Sequence, residues 1–189
     1  MPYHHGNLRA ELLARAESVV ASEGVDALSL RSLARDIGVS HAAPGRHFPD
    51  RQALLDALAI EGFERLGGEL SAAVGDGGSF EDRLTRTALA YVRFATGHPA
   101  LLELMYARKH REPTDEVRAA ADAWAGVLLA LLAESDVAIG DPERFGVILL
   151  AALHGIASLA AGESLPPAHA PDRLAVDAVQ RLLRGSRVD

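Results

Sequence analysis

Apolar residues along this chain recur at intervals of three and four, and no stretch keeps the alternation of two that a strand surface needs. The pattern predicts an all-α chain of nine helices joined by short, punctuated links. The first covers about residues 7–23, where Leu8, Leu12, Leu13, Ala16, Val19 and Val20 share one face and Gly24 closes the helix. The second follows Ser29 as N-cap and carries Leu30, Leu33, Ala34 and Ile37. A short third helix is expected over about 41–47, after Ser40. The fourth starts near Arg51 and runs through Leu54, Leu55, Leu58 and Phe63 toward residue 73.

The stretch "GDGG" at 75–78 marks a boundary, and Ser79 with Asp82 resembles a capping box that opens a fifth helix through Phe80, Leu84, Ala88, Tyr91 and Ala95. "GHP" at 97–99 breaks it, and a sixth helix carries Leu101, Leu102 and Met105. Thr114 caps the seventh, with a stripe of Val117, Ala121, Trp124, Leu128 and Leu131. Asp141 caps the eighth, and Pro142 takes its first position. "PP" at 166–167 precedes the ninth, which carries Leu174, Ala178, Val179, Leu182 and Leu183. The eighth is apolar nearly all round over 145–162, so it needs cover on more than one side. A central core position and a shared interface with a second subunit both meet that need.

Composition narrows the class. Apolar residues make up 49% and charged residues 24%, which predicts a packed core rather than disorder. The absence of Cys excludes disulfides, Cys-ligated zinc and thiol catalysis. The N-terminal "MPYHHGNLRAELL" lacks a signal-peptide core, and no uninterrupted apolar run reaches the ~20 residues of a membrane span; a soluble cytoplasmic protein is expected. Net charge is −7, but unevenly spread. Residues 1–52 hold six Arg and six acids, whereas residues 53–189 hold thirteen Lys and Arg against twenty acids. Any nucleic-acid contact therefore belongs to the first part, where Arg31, Arg35, Arg46, His47 and Arg51 cluster.

Residues 30–47 have what two tightly crossed helices require. Ala34 is small at the point of close approach, Gly38 supplies a left-handed turn, Val39 plugs the angle, and Ser40 is placed to cap the next helix. An ordinary corner of an all-α protein has the same needs.

The sequence around that corner resembles the TetR family of bacterial transcriptional regulators. The matching residues are "LSLRSLARDIGVS", "RHF" at 46–48 and "DRQALLDAL" at 50–58. "YHHGNLRAELL" and "LHGIASL" are similar to a TetR subgroup with a WHG-type C-terminal ligand-binding domain, although the tryptophan that subgroup carries shortly before His154 is absent. The resemblance implies a three-helix DNA-binding head at 1–52 and a ligand-binding and dimerisation domain at 53–189. It implies a homodimer through the eighth and ninth helices, with two heads in successive major grooves of a near-palindromic operator. An unknown small-molecule effector would release that operator.

Carried over position by position, the resemblance implies DNA contact by Arg31, Ser40, His41, Ala42, Ala43, Arg46, His47 and Arg51. Arg31 and His41 would supply hydrogen-bonded base readout, since Ala42 and Ala43 offer only methyl groups. Arg46, His47 and Arg51 fall where relatives hold phosphate. Phe48 reads as core. At Gly45 most relatives place a tyrosine that contacts phosphate; Gly45 removes that contact, whereas Pro44 is usual in the subgroup. The same resemblance implies an effector pocket, for which Tyr91, His98, Tyr106, Trp124 and His154 are candidates as polar or aromatic groups on apolar stripes.

No enzyme motif is present: HExxH, a phosphate loop, G-x-S-x-G and a spaced acid pair are all missing. "HH" at 4–5 lacks a third ligand nearby. No catalytic or metal site and no cofactor are expected. The alternative to a DNA-binding repressor is a TetR-fold small-molecule-binding or protein-interaction module with weak DNA binding, suggested by Gly45 and the neutral head.

Overall fold

The computed structural model describes residues 8–75, 77–110, 112–135 and 141–186. The His4–His5 pair and Asp76 of the "GDGG" stretch lie outside them. Among the described residues the chain is helical with no strand. There are eight α-helices: α1 (Leu8–Glu23), α2 (Leu30–Asp36), α3 (Arg51–Val74), α4 (Phe80–Gly97), α5 (Pro99–His110), α6 (Asp115–Ala133), α7 (Pro142–Ala161) and α8 (Pro171–Ser186). Two 3-10 turns, Val25–Ala27 and Pro44–Arg46, complete the set.

The expected third α-helix at 41–47 is replaced by the second of these turns, which corrects the count of nine. The cause is local. Pro44 has no N–H to return to Ser40, so the Ser40 carbonyl accepts instead from Ala43, one residue early, at 2.9 Å. Arg46 bonds back to Ala43 and His47 to Pro44, again with the three-residue spacing of a 3-10 turn. Ser40 thus enters through its carbonyl rather than as the cap of an α-helix.

The chain divides into two compact units. The first comprises Met1–Phe63 with Ala100–Ala120. Its core includes Leu12, Leu13, Ala16, Val19 and Val20 of α1, Leu33 and Ala34 of α2, and Leu54, Leu58 and Phe63 of α3. Ser29 caps α2 by accepting from the Ser32 N–H at 3.1 Å. Gly38 takes φ +74°, the left-handed turn expected between the crossed helices. Asp56 of α3 and Arg108 of α5 meet at 2.6 Å with only 13% and 12% of their side chains exposed, a polar clamp inside an otherwise apolar contact.

The second unit comprises Glu64–Pro99 with Ala121–Asp189. Here α4, α7 and α8 pack mutually. Phe145, Leu149, Leu153 and Ala157 form the inward stripe of α7, facing a core that includes Leu84, Tyr91, Ala95 and Val179. By length and composition alone α7 could cross a membrane; here one of its faces is built into this bundle. Its other face leaves Val147, Ile148 and Leu159 in solvent, at 67%, 44% and 50% exposure.

Helix starts follow the expected caps. Asp141 accepts from Arg144 N–H at 3.1 Å with Pro142 behind it, and Thr114 accepts from Val117 N–H at 3.3 Å. Ser79 and Asp82 form a full capping box at α4. The Ser79 hydroxyl, then its backbone N–H, hold the Asp82 carboxyl below its ordinary range. A lowered carboxylate contributes stability above its unfolded pKa, about 4, and loses it as pH falls through the lower folded value. Asp82→Asn should therefore melt below the parent at pH 7, and the two melting temperatures should converge as acid takes the pH below the lowered folded value. A constant gap across that range would exclude the ionised carboxylate as the source.

Candidate functional site

The crossed-helix corner of the first unit presents one polar surface. Gly38 turns the chain out of α2, and the Val39 N–H returns to the Ala34 carbonyl at 2.9 Å, fixing where the corner begins. Pro44 and Phe48 are buried, and the Phe48 N–H bonds to the Pro44 carbonyl at 2.9 Å. With those two residues turned inward, Gly45, Arg46 and His47 are left exposed. Ser40, His41 and Ala42 are also exposed, and Ala43 is half-buried. Arg31, at the second position of α2, is exposed too, and α2 packs against the 3-10 turn. Phe48 is 2% exposed, the core position expected of it, with the Arg9 guanidinium 5.6 Å from its ring centre.

Arg51 is engaged with the backbone. Its guanidinium donates to the Leu28 carbonyl at 3.0 Å and to the Val25 carbonyl at 2.6 Å, with Asp26 at 3.8 Å. It staples the start of α3 to the link between α1 and α2. Nothing in the one-dimensional pattern separates a phosphate-binding Arg from one that ties down carbonyls 23 and 26 residues upstream. Two other head cations are engaged as well: Arg15 bonds to Asp36 at 2.9 Å, and Arg35 lies 3.7 Å from the same carboxylate. Arg15, Arg35 and Arg51 are thus engaged with acceptors and Arg9 lies over the Phe48 ring, while Arg31 and Arg46 are exposed, as are His41 and His47.

In the second unit, three of the five candidate effector residues come together. The Tyr91 hydroxyl is 3.0 Å from His154 Nδ1, and the Tyr91 and Trp124 rings lie 6.1 Å apart. Tyr91 and Trp124 line a cleft with Thr87 and the leucines of α3, α6 and α7, among them Leu70, Leu128 and Leu149. The cleft is small, with a cavity volume of about 10 Å3. His98 is apart from it, at the C-cap of α4, with Arg65 Nη2 3.2 Å from its Nε2 and the Phe94 ring 5.1 Å away. Tyr106, half-buried on α5, belongs to the first unit.

The first unit thus presents an exposed polar corner, and the second holds an apolar cleft. Residues 12–58 match the family model for bacterial regulatory proteins of the tetR family, and residues 84–182 match that of the tetracyclin repressor-like C-terminal domain. The chain belongs to the TetR family of DNA-binding transcriptional regulators. A protein of unknown function from Rhodococcus sp. RHA1 is similar over the full length of both chains, at 45% identity and a TM-score of 0.92. A tetR-family regulatory protein, also from Rhodococcus RHA1, shares the fold at 22% identity and a TM-score of 0.72, over 96% of this chain and 98% of its own. Among curated proteins, the nucleoid occlusion factor SlmA of Yersinia enterocolitica is 31% identical over 100 residues, 52% of this chain. That match spans half the length of the relative.

Gly45, where the resemblance leads one to expect a tyrosine, has open space around it. A Cβ built there meets no atom within 4 Å, and the backbone is not in the left-handed region. Gly45→Ala should therefore raise stability by about 0.4–1 kcal/mol, by restricting the unfolded chain. The urea midpoint measures it; a lower midpoint would mean that the turn needs glycine.

Proposed function

We propose that this chain is a homodimeric repressor that binds a near-palindromic operator and is released from it by a small molecule. The observation that carries the reading is the exposed set at the corner: Arg31 on α2 with His41, Arg46 and His47 on the segment that follows. Arg31 and His41 are the base-reading groups, since a guanidinium fits guanine and an imidazole can serve as donor or acceptor. Arg46 and His47 hold phosphate, Ser40 completes the contacting surface, and Ala42 and Ala43 offer methyl groups to thymine. Arg51 serves the site indirectly, by holding α3 in place. Residues 1–52 carry the DNA contact, and residues 53–189 carry dimerisation and effector binding.

The outward face of α7 supports the homodimer. Val147, Ile148 and Leu159 are exposed beside Ala151, an apolar surface of the kind that a second copy's α7 and α8 would bury. The Tyr91, Trp124 and His154 group supports the effector site. An effector that favours one separation of the two heads lowers operator affinity by that preference and no more. A protein with this task works in the cytoplasm, where the DNA is, and requires no catalytic group.

The zero net charge of residues 1–52 favours a second reading, a TetR-fold small-molecule-binding or protein-interaction module with weak DNA binding. Direct binding separates the two. The repressor should prefer DNA from upstream of its own gene to random duplex. Arg31→Ala should lose about 1–3 kcal/mol on that fragment and little on random duplex. Equal affinity of the parent for both DNAs would reject the repressor and leave the second reading.

A further inference from the structure

Resting on the reading of the cleft as the effector site, we infer that its occupant is a neutral, mainly apolar molecule with one hydrogen-bond acceptor, received by the indole N–H of Trp124. The polar groups that line the cleft are few, and their engagements differ. The Thr87 hydroxyl donates to the Arg83 carbonyl at 2.9 Å. The Tyr91 hydroxyl is paired with His154 Nδ1 at 3.0 Å. Trp124 is 2% exposed, and its Nε1 is buried without a hydrogen-bond partner. A buried donor left unpaired is unfavourable, and an acceptor brought by a ligand removes that penalty. The indole N–H is a donor only, so it selects for an acceptor and cannot serve a ligand whose sole polar group is a donor.

The remaining lining sets the rest of the chemistry. Among the described residues that line the cleft, none is Asp, Glu, Lys or Arg. A carboxylate or ammonium would enter without a counter-charge and lose its hydration, which disfavours both. The present room of about 10 Å3 accommodates no organic molecule, so an occupant enters only as the leucine side chains shift. A slender, flexible chain demands the smallest shift. A short ketone has all these features, and its isosteric alkene lacks only the acceptor.

Trp124 is the sole tryptophan, so a 15N–1H spectrum contains one indole signal and reports on this group alone. The full chain is titrated with 2-alkanones of five to nine carbons, with the matching 2-methyl-1-alkenes, and with carboxylates of the same length. The expected result is a downfield shift of the indole proton with the ketones and not the alkenes, and about tenfold tighter binding of the ketones, the effect of one hydrogen bond at a buried donor. By calorimetry, Trp124→Phe should lose the ketone preference while binding the alkenes as before. The shift of the parent's own indole signal covers the case in which Trp124→Phe fails to fold. Equal behaviour of ketones and alkenes, tighter binding of the carboxylates, or an indole signal that no ketone moves would overturn the inference. Operator affinity measured on the same samples tests the other reading separately. Ketone preference with unchanged DNA affinity would reject the effector role and leave the ligand class standing.

Discussion

One guanidinium fixes the geometry of the exposed corner that we propose reads DNA. Arg51 opens α3 and donates to the carbonyls of Val25 and Leu28, at the turn between α1 and α2. A hydrogen bond with one charged partner contributes roughly 1.5–3 kcal/mol, and less where water reaches it, as it does at a side chain 40% exposed. Its position matters more than its strength. The corner begins where Val39 N–H returns to the Ala34 carbonyl and ends where Arg51 is tied to the helix link. Between these two anchors, Pro44 and Phe48 are buried and pin the middle. The polar residues of the segment are left to face outward.

Pro44 then decides the kind of helix that forms. Without its N–H, the Ser40 carbonyl takes the Ala43 N–H, and the segment winds as a 3-10 turn. The pattern of apolar positions carried most of the fold: the inward stripes of α1 and α4 and the caps at Ser29, Ser79, Thr114 and Asp141 all stand where spacing put them. These are local signals, set within one or two turns of helix. The short third helix was misread because a Pro-Gly pair after a Ser fits an α-helical first turn as well as a 3-10 turn. Only the competition for one carbonyl separates them.

The site was legible to the extent that its chemistry is local. Exposure of Arg31, His41, Arg46 and His47 follows from helix phase and from the burial of their neighbours. The engagement of Arg51 with residues more than 20 positions upstream does not, nor does the Asp56–Arg108 clamp across 52 residues. Long-range pairing has no signature in a single sequence. The same limit holds in the second unit: Tyr91, Trp124 and His154 could be selected as polar groups on apolar stripes, but so were His98 and Tyr106, which pack elsewhere. The unpaired indole N–H emerges only when every neighbour of Trp124 is in place.

The division of labour between Arg46 and Arg51 is the most direct test of this arrangement. It is read from the salt dependence of binding to DNA from upstream of the gene, because each neutralised phosphate adds about 0.9 to the slope of log affinity against log salt. Arg46→Ala should lower the slope by about one. Arg51→Ala should leave the slope at the parent value while lowering the urea midpoint. A slope reduced by about one in Arg51→Ala, with the midpoint unchanged, would contradict the account and place that guanidinium on the DNA.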